Sequence, residues 1–175
     1  MVSYLLRYLR VIFQSCFRSQ MGPLDTSVMN FIAWPFDCEL RALNGARAMA
    51  IMDNARMDFV ARSGMLRAML KNGWLISIGA QRITYFRRVP LFSRFKVEAR
   101  IVSWHGRWCI CECKILLRGK LAAIGHQRCL LGGKKAVTAQ MVIDAMGSAI
   151  SPPPLPTELE EWVKMEDIFF AQGKI

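Results

Sequence analysis

The chain has 175 residues, enough for one domain with appended segments, and 53% of them are hydrophobic, which favours an oligomer that buries part of this apolar surface. A net charge of +11 favours anionic partners such as acidic lipid headgroups or phosphorylated cofactors, whereas the lack of a zinc finger, an aromatic RNA-binding signature or a basic tail argues against nucleic acid. Uninterrupted apolar runs are too short for a transmembrane helix.

The first 20 residues are typical of an amphipathic helix rather than a signal peptide, because arginines interrupt the apolar stretch and no small-x-small cleavage site follows it. At helical spacing, one face collects Leu5, Leu9, Ile12, Phe13, Cys16 and Phe17. The other face collects Arg7, Arg10, Gln14 and Arg18. Such a helix can lie on an anionic membrane surface, or it can dock on its own domain or a partner subunit. The sequence leaves both alternatives open.

Past the helix-breaking Met21-Gly22-Pro23, a strand and a long helix are predicted. Residues 26–34 read as the strand, which Pro35 ends. Residues 44–64 read as the helix, with Gly64 as its C-terminal cap, and residues 65–71 as a short second helix.

From residue 74 onward the spacing of the apolar residues changes from that of a helix to the alternation typical of β-strands. Four strands are predicted, joined by short turns, at residues 74–87, 95–104, 108–117 and 120–131. A helix at residues 138–146 follows them. The stiff linker SPPPLP, residues 151–156, then leads to a final helix that Thr157 is expected to cap.

This order of elements predicts an α+β fold in which an antiparallel sheet curls around one long central helix. The predicted organisation is an amphipathic helix at residues 1–20, a central domain at 24–148, and a Pro-rich linker with a C-terminal helix at 149–175. A sheet covered on one face is expected to pair with a second subunit through an edge strand or a face.

The six cysteines favour buried thiols rather than disulfides or a metal site. Three of them alternate in CICEC, so a strand would place them on one face about 6.6 Å apart, where neighbours cannot bridge comfortably. With only His105 and His126 available, the pattern lacks the pairs that a zinc site requires. We therefore expect no metal, and a reduced cytoplasmic chain.

Two stretches, WPFDCELRALNGARAMAIMDNARMDF and AQRITYFRRVPLFSRFKVEARIVSW, resemble the hotdog-fold thioesterase-like group related to 4-hydroxybenzoyl-CoA thioesterases. Members of that group show D-x-D, then H-x-N-N, a long central helix and a strand ending in a pattern such as Y-x-R-P. The resemblance covers residues 26–146. It implies a hotdog fold, hydrolysis of a fatty or aromatic acyl-CoA, a homodimer or homotetramer, and no cofactor beyond the coenzyme A of the substrate.

Carried onto this chain, the resemblance places Asp37 and Glu39 on the two acidic positions, with Glu39 as the catalytic carboxylate. Asn44 takes the asparagine position, and Gly45 replaces the second asparagine. The chain departs from the pattern at the histidine, where it has Ala42 or Leu43, and its spacing is one residue short.

The implied chemistry is a thioester carbonyl bound over the helix N-terminus, while a carboxylate activates water or attacks the carbonyl directly. Two alternatives stay open. Either carboxylate can simply cap the helix or pair with Arg41 or Arg47, and the protein can bind acyl-CoA or an acyl chain without turnover.

Further candidates lie on the helix and the strands. Asp53 and Arg56 have the i,i+3 spacing of an ion pair, although related enzymes place a catalytic acid on this helix. The resemblance places coenzyme A phosphates near strand ends, where Arg82, Arg87 and Arg88 lie, and solvated arginines are the alternative. Lys134 and Lys135 are a weaker anion-binding pair, and His126 has no acidic neighbour in sequence.

Overall fold

The computed structural model describes residues 2–15 and 17–173 and confirms the α+β class. The helices are α1 (Val2–Ser15), α2 (Gly45–Arg62), α3 (Met65–Asn72), α4 (Ala139–Ala145) and α5 (Thr157–Gln172). The main sheet contains β1 (Ser27–Ile32), β4 (Leu75–Tyr85), β5 (Arg94–His105), β6 (Trp108–Leu117) and β7 (Lys120–Gly132). A small hairpin pairs β2 (Cys38–Glu39) with β3 (Ala42–Leu43).

The strand order is β1-β5-β6-β7-β4, with every neighbouring pair antiparallel, so the predicted four-strand meander is wrong in one respect. Strands β5, β6 and β7 do follow one another, and the Arg118-Gly119 turn has the two positive φ angles of a tight hairpin, 50° and 76°. Strand β4, however, pairs with β7 at the far edge. The residues after it cannot form a tight hairpin, because they run back past β2 and β3 before β5 begins.

Helix α2 packs against the concave face of this sheet, where it contacts β1, β5 and β6. Alternate residues of β5 face it and are buried: Phe95, Val97, Ala99 and Ile101. At Gly125 the helix comes so close that an added Cβ would lie 2.8 Å from the Met52 sulfur. The CICEC cysteines are buried as predicted, and the cysteines within the described residues, which exclude Cys16, are free thiols.

The N-terminal helix docks on α2 with a different face from the one predicted to be apolar. Among its described side chains, Val11 and Ser15 are buried and Ile12 packs against the core, whereas Leu9, Phe13 and the following Phe17 are exposed. Three members of the predicted faces lie outside what the structure describes: the side chains of Leu5 and Arg7, and the whole of Cys16. Helix α1 ends at Ser15, earlier than the predicted residue 20.

A fully buried carboxylate, that of Asp58 on α2, fixes this docking. It accepts hydrogen bonds from Ser15 Oγ at 2.8 Å, from the Arg18 guanidinium at 2.8 Å and from Arg62 at 3.0 Å, and also from Ser27 Oγ on β1. The residue thus joins α1, α2 and β1 at one point in the core.

The C-terminal helix covers the convex face of the sheet. Leu159 and Trp162 of α5 are buried in a cluster with Val102 and Ile110 of the sheet. Thr157 is the first residue of α5 rather than its cap, because Pro156 occupies the cap position and offers no side-chain hydrogen bond. Among the described residues, no helix has the length and hydrophobicity needed to cross a bilayer.

Candidate active site

The β2–β3 hairpin lies ahead of α2 and contains Glu39, whereas Asp37 directly precedes the hairpin. Cys38 pairs with Leu43 and Glu39 with Ala42, so only Leu40 and Arg41 form the turn. Their φ angles are 48° and 66°, a left-handed conformation that suits Gly or Asn and costs other residues free energy. This two-residue turn accommodates the short spacing between Glu39 and Asn44, because no longer loop separates them.

The strained turn leads to a stability prediction. Leu40 is 92% exposed, so Leu40→Gly loses no packing and removes the cost of the left-handed conformation. We expect the free energy of unfolding to rise by about 1 kcal/mol, or the midpoint of thermal unfolding by about 2–4 °C. Leu70→Gly is the matched control, since Leu70 is an exposed leucine within helix α3 and its replacement should destabilise by about 1 kcal/mol. Equal destabilisation by both changes would contradict the strain argument.

Asn44 caps helix α2 and orients Glu39 at the same time. Its Oδ1 accepts hydrogen bonds from the backbone amides of Ala46 at 2.9 Å and Arg47 at 3.4 Å. Its Nδ2 donates to Glu39 Oε2 at 2.6 Å. The Glu39 carboxylate is exposed and therefore accessible to a ligand. The predicted pair of Glu39 and Asn44 is brought together at the positive end of α2.

Asp37 occupies a different environment from Glu39. It ends the short 3-10 turn Pro35–Asp37 and is 1% exposed. Its backbone carbonyl accepts a hydrogen bond from the Asn44 amide at 2.9 Å, which ties the turn to the start of α2. The Asp37 side chain is therefore buried at the entry to the hairpin, whereas Glu39 faces solvent.

Gly45 begins α2, and its amide is not one of those that Asn44 caps. The Tyr85 hydroxyl donates to the Gly45 carbonyl at 3.1 Å, and a Cβ on Gly45 would lie 3.0 Å from the same hydroxyl oxygen. Burial raises the pKa of Tyr85, so the phenol stays protonated and donating at neutral pH. Tyr85 was not among the predicted site residues, although it is the tyrosine of the AQRITYFRRVP stretch.

The arginines predicted to bind phosphate separate into two groups. Arg87 and Arg88 are exposed in the segment that follows β4. That segment runs beside the hairpin, since the Leu43 amide donates to the Val89 carbonyl at 2.8 Å and Ala42 bridges Pro90. Arg82 instead contacts the convex face, where its Nε lies 3.4 Å from His126 Nδ1 and its guanidinium lies over Trp162.

Two other predictions concern acidic partners. The predicted Asp53–Arg56 ion pair is present at 3.4 Å, and Asp53 also accepts a hydrogen bond from Gln127 at 2.7 Å. His126 has no acidic neighbour along the chain, but Glu112 lies opposite it in the β6–β7 register, with Glu112 Oε2 3.3 Å from His126 Nε2. The hydrogen bond from His126, opposed by burial and aided by Lys114 and Arg100, lowers the pKa of Glu112 to about 2.

Comparisons with known proteins match most of the chain. The sequence profile of the thioesterase-like superfamily matches residues 33–163. Protein THEM6 of Drosophila melanogaster is 23% identical over 169 residues, which cover 93% of this chain and 85% of that protein.

Solved structures share the fold at low identity. The probable thioesterase YbaW from Escherichia coli is similar with a TM-score of 0.63 and 16% identity, over 70% of this chain and 99% of that one. The 1,4-dihydroxy-2-naphthoyl-CoA thioesterase Slr0204 from Synechocystis is similar with a TM-score of 0.61 and 11% identity, over 71% of this chain and 98% of that one. The protein SAV2348 from Staphylococcus aureus was solved in complex with CoA. It is similar with a TM-score of 0.63 and 12% identity, over 81% of this chain and 96% of that one.

Proposed function

The chain belongs to the thioesterase-like superfamily, and on this premise we propose that it hydrolyses an acyl-CoA thioester at the N-terminus of α2, with Glu39 as the catalytic carboxylate. The observation that carries the proposal is the 2.6 Å hydrogen bond from Asn44 Nδ2 to Glu39 Oε2. It holds an accessible carboxylate beside the first turn of the central helix.

The proposed reaction uses the helix end and the carboxylate together. The thioester carbonyl oxygen accepts a hydrogen bond from the Gly45 amide, where the helix dipole stabilises the negative charge that develops. Glu39 removes a proton from water, whose oxygen attacks the carbonyl carbon. The carbon–sulfur bond then breaks, and the departing thiolate takes the proton from Glu39 to give free coenzyme A and the carboxylic acid.

The neighbouring cations supply the binding of coenzyme A in this proposal. Arg87 and Arg88 lie in the segment hydrogen-bonded to the hairpin, and guanidinium groups bind phosphate oxygens in a bidentate manner. Arg82 is left out of the proposed phosphate site, because its contacts are with His126, α5 and the convex face.

A homodimer that covers the site is part of the proposal. Among the described strands β4 is the last one on its side of the sheet, and it carries or adjoins the exposed Leu75, Tyr85 and Phe86. The opposite edge is partly covered, because Arg18 donates to the Val28 carbonyl of β1 at 2.8 Å. A partner that pairs along β4 would come close to Tyr85 and so to Gly45.

The free thiols favour a reducing compartment such as the cytoplasm.

A second candidate is an acyl-CoA-binding protein without turnover. The observation that favours it is the absence of a histidine from the hairpin, where Ala42 and Leu43 stand. Such a protein would bind acyl-CoA at the same arginines and the same helix end, and it would release no thiol.

The test is a panel of short, long and aromatic acyl-CoAs, with free thiol measured by a chromogenic reagent and calorimetric binding measured in parallel. A protein-only blank corrects for the chain's own cysteines, most of which are buried. We expect thiol release above background for at least one acyl-CoA. Saturable binding without thiol release would establish the second candidate instead, and neither binding nor release would contradict both.

A further inference from the structure

Part of the apolar face predicted for the N-terminal segment is exposed as a stripe, on α1 and just beyond its end. Leu9, Phe13 and Phe17 recur every four residues and are 54%, 66% and 77% exposed. The rings of Phe13 and Phe17 meet edge to face at 5.0 Å, so the two aromatic side chains form one continuous patch. The docked face of the helix is a different one, which contains the buried Val11 and Ser15.

The helix cannot turn to bury this stripe without losing buried polar contacts. Ser15 Oγ lies 2.8 Å from the Asp58 carboxylate and 2.7 Å from the Val11 carbonyl, so its single proton is shared between these two acceptors. Just beyond the helix, Arg18 donates to Asp58 and to the Val28 carbonyl. Rotation of α1 would leave the buried Asp58 charge without two of its hydrogen-bond partners, and the loss of partners by a buried charge is strongly destabilising. The contacts with Asp58 that dock α1 on α2 therefore also keep the stripe exposed.

A groove beside the stripe continues the apolar surface onto α3. It has a volume of about 410 Å³ and is lined by Ile12, Ser15, Ala61, Leu66, Arg67, Leu70 and Lys71. Leu70 is 75% exposed, and the flanking Arg67 and Lys71 are also exposed. None of the seven lining residues is acidic. The groove thus combines an apolar floor with cations at its rim.

The surface formed by α1 and α3 is positively charged. Residues 1–24 and 59–97 contain no Asp or Glu, so all charged side chains of α1 and α3 are basic, and the first carboxylate after α1 is that of Asp25. Exposed aromatic residues next to lysines and arginines, with no acidic residue among them, match the chemistry of an anionic lipid surface. Aromatic rings partition into the headgroup region, and cations pair with the phosphates.

We propose that the face formed by α1 and α3 binds the surface of an anionic phospholipid bilayer. Phe13 and Phe17 enter the headgroup region, and Arg10, Arg67 and Lys71 contact lipid phosphates. The chain lies on the bilayer and does not cross it. This binding is independent of the proposed hydrolysis, because Glu39 and Asn44 take no part in it.

The test is co-sedimentation of the full chain with vesicles of phosphatidylcholine containing about one-quarter phosphatidylglycerol, compared with vesicles of phosphatidylcholine alone. We expect clear preference for the anionic vesicles and a loss of binding as salt is raised. The double variant Phe13→Ser, Phe17→Ser should bind the anionic vesicles at least tenfold more weakly. The double variant Arg67→Gln, Lys71→Gln should lose about fivefold for each cation removed.

Phe169→Ser is the matched control, because Phe169 is a 60% exposed aromatic residue on α5, which packs on the opposite face of the sheet. It should bind as the parent chain does. The proposal is overturned if the parent chain does not prefer anionic vesicles, or if both double variants, with unchanged thermal midpoints, bind like the control. Conversion of a dimer into a monomer by Phe13→Ser, Phe17→Ser, with vesicle binding unchanged, would assign the face to a second copy of the chain and equally overturn the proposal.

Discussion

Replacing Asp58 by asparagine is expected to lower the free energy of unfolding by about 3 kcal/mol, and the thermal midpoint by roughly 10 °C. The change keeps the size of the side chain but removes its charge. It leaves the guanidinium of Arg62, whose side chain is only 10% exposed, without its carboxylate. It also puts an amide donor among Ser15, Ser27 and Arg18, each of which donates to Asp58 in the parent chain.

The pH dependence of this effect checks its cause. Burial opposes ionisation of Asp58, but hydrogen bonds from Ser27, Ser15 and Arg62 and the charge of Arg18 outweigh it and lower the pKa. A lowered pKa means that the stabilisation is fully present above the unfolded value of about 3.9 and is lost as the pH falls through the folded pKa. The parent chain and Asp58→Asn should therefore differ in stability at neutral pH and converge in strong acid.

Chemical denaturation at several pH values measures this difference, with Asp144→Asn as the control. Asp144 is an exposed carboxylate that accepts a hydrogen bond from Gln140, and its replacement should cost less than about 1 kcal/mol. A loss of stability at Asp58 no larger than that at Asp144 would show that the buried carboxylate does not hold α1 in place.

The parts of the fold that could be predicted are those with local signals. Asn44-Gly45 ahead of an apolar stripe predicted the start of α2, and the asparagine does cap it. Arg118-Gly119 between alternating apolar residues predicted a tight turn, and both residues have positive φ. In each case the residues that determine the conformation are neighbours in sequence, so the local residue types suffice to predict it.

The parts that could not be predicted depend on contacts between distant residues. The pairing of β4 with β7 involves strands with the same alternation as β5, so the pattern alone does not select the partner. The docked face of α1 is selected by Asp58, which lies 43 residues beyond Ser15. The Glu112–His126 pair follows from the strand register and has no signal along the chain.

The catalytic role of the candidate site stays a prediction, but the structure shows how the predicted residues are arranged. The resemblance placed Asp37, Glu39, Asn44 and Gly45 together, and the hairpin shows why Glu39 and Asp37 differ, with one exposed and the other buried. Tyr85 joins the site through a contact between β4 and the start of α2, which only the folded chain brings together.

Replacing Glu39 by glutamine is expected to lower kcat/KM for the best acyl-CoA of the panel by roughly 10²–10⁴-fold. Glutamine has the same size and can still accept the hydrogen bond from Asn44, so the cap of α2 is retained. It cannot take a proton from water, and the chemical step is the one affected. Stability should stay within about 0.5 kcal/mol of the parent chain, because Glu39 is exposed.

A matched control separates chemistry from charge. Glu161→Gln removes one exposed carboxylate from α5, on the far face of the sheet, and should leave kcat/KM unchanged. Binding of a thioether analogue of the same acyl-CoA, which cannot be hydrolysed, should be equal for the parent chain, Glu39→Gln and Glu161→Gln. Weaker analogue binding by Glu39→Gln, with turnover unaffected, would make Glu39 a binding residue rather than a catalytic one.

The most direct measurement is the rate of thiol release at saturating acyl-CoA by the parent chain and by Glu39→Gln under the same conditions. Catalysis at the N-terminus of α2 predicts release by the parent chain, and release at least 100-fold slower by the variant at equal affinity for the analogue. Equal rates for the two proteins, or no release by either, would contradict it.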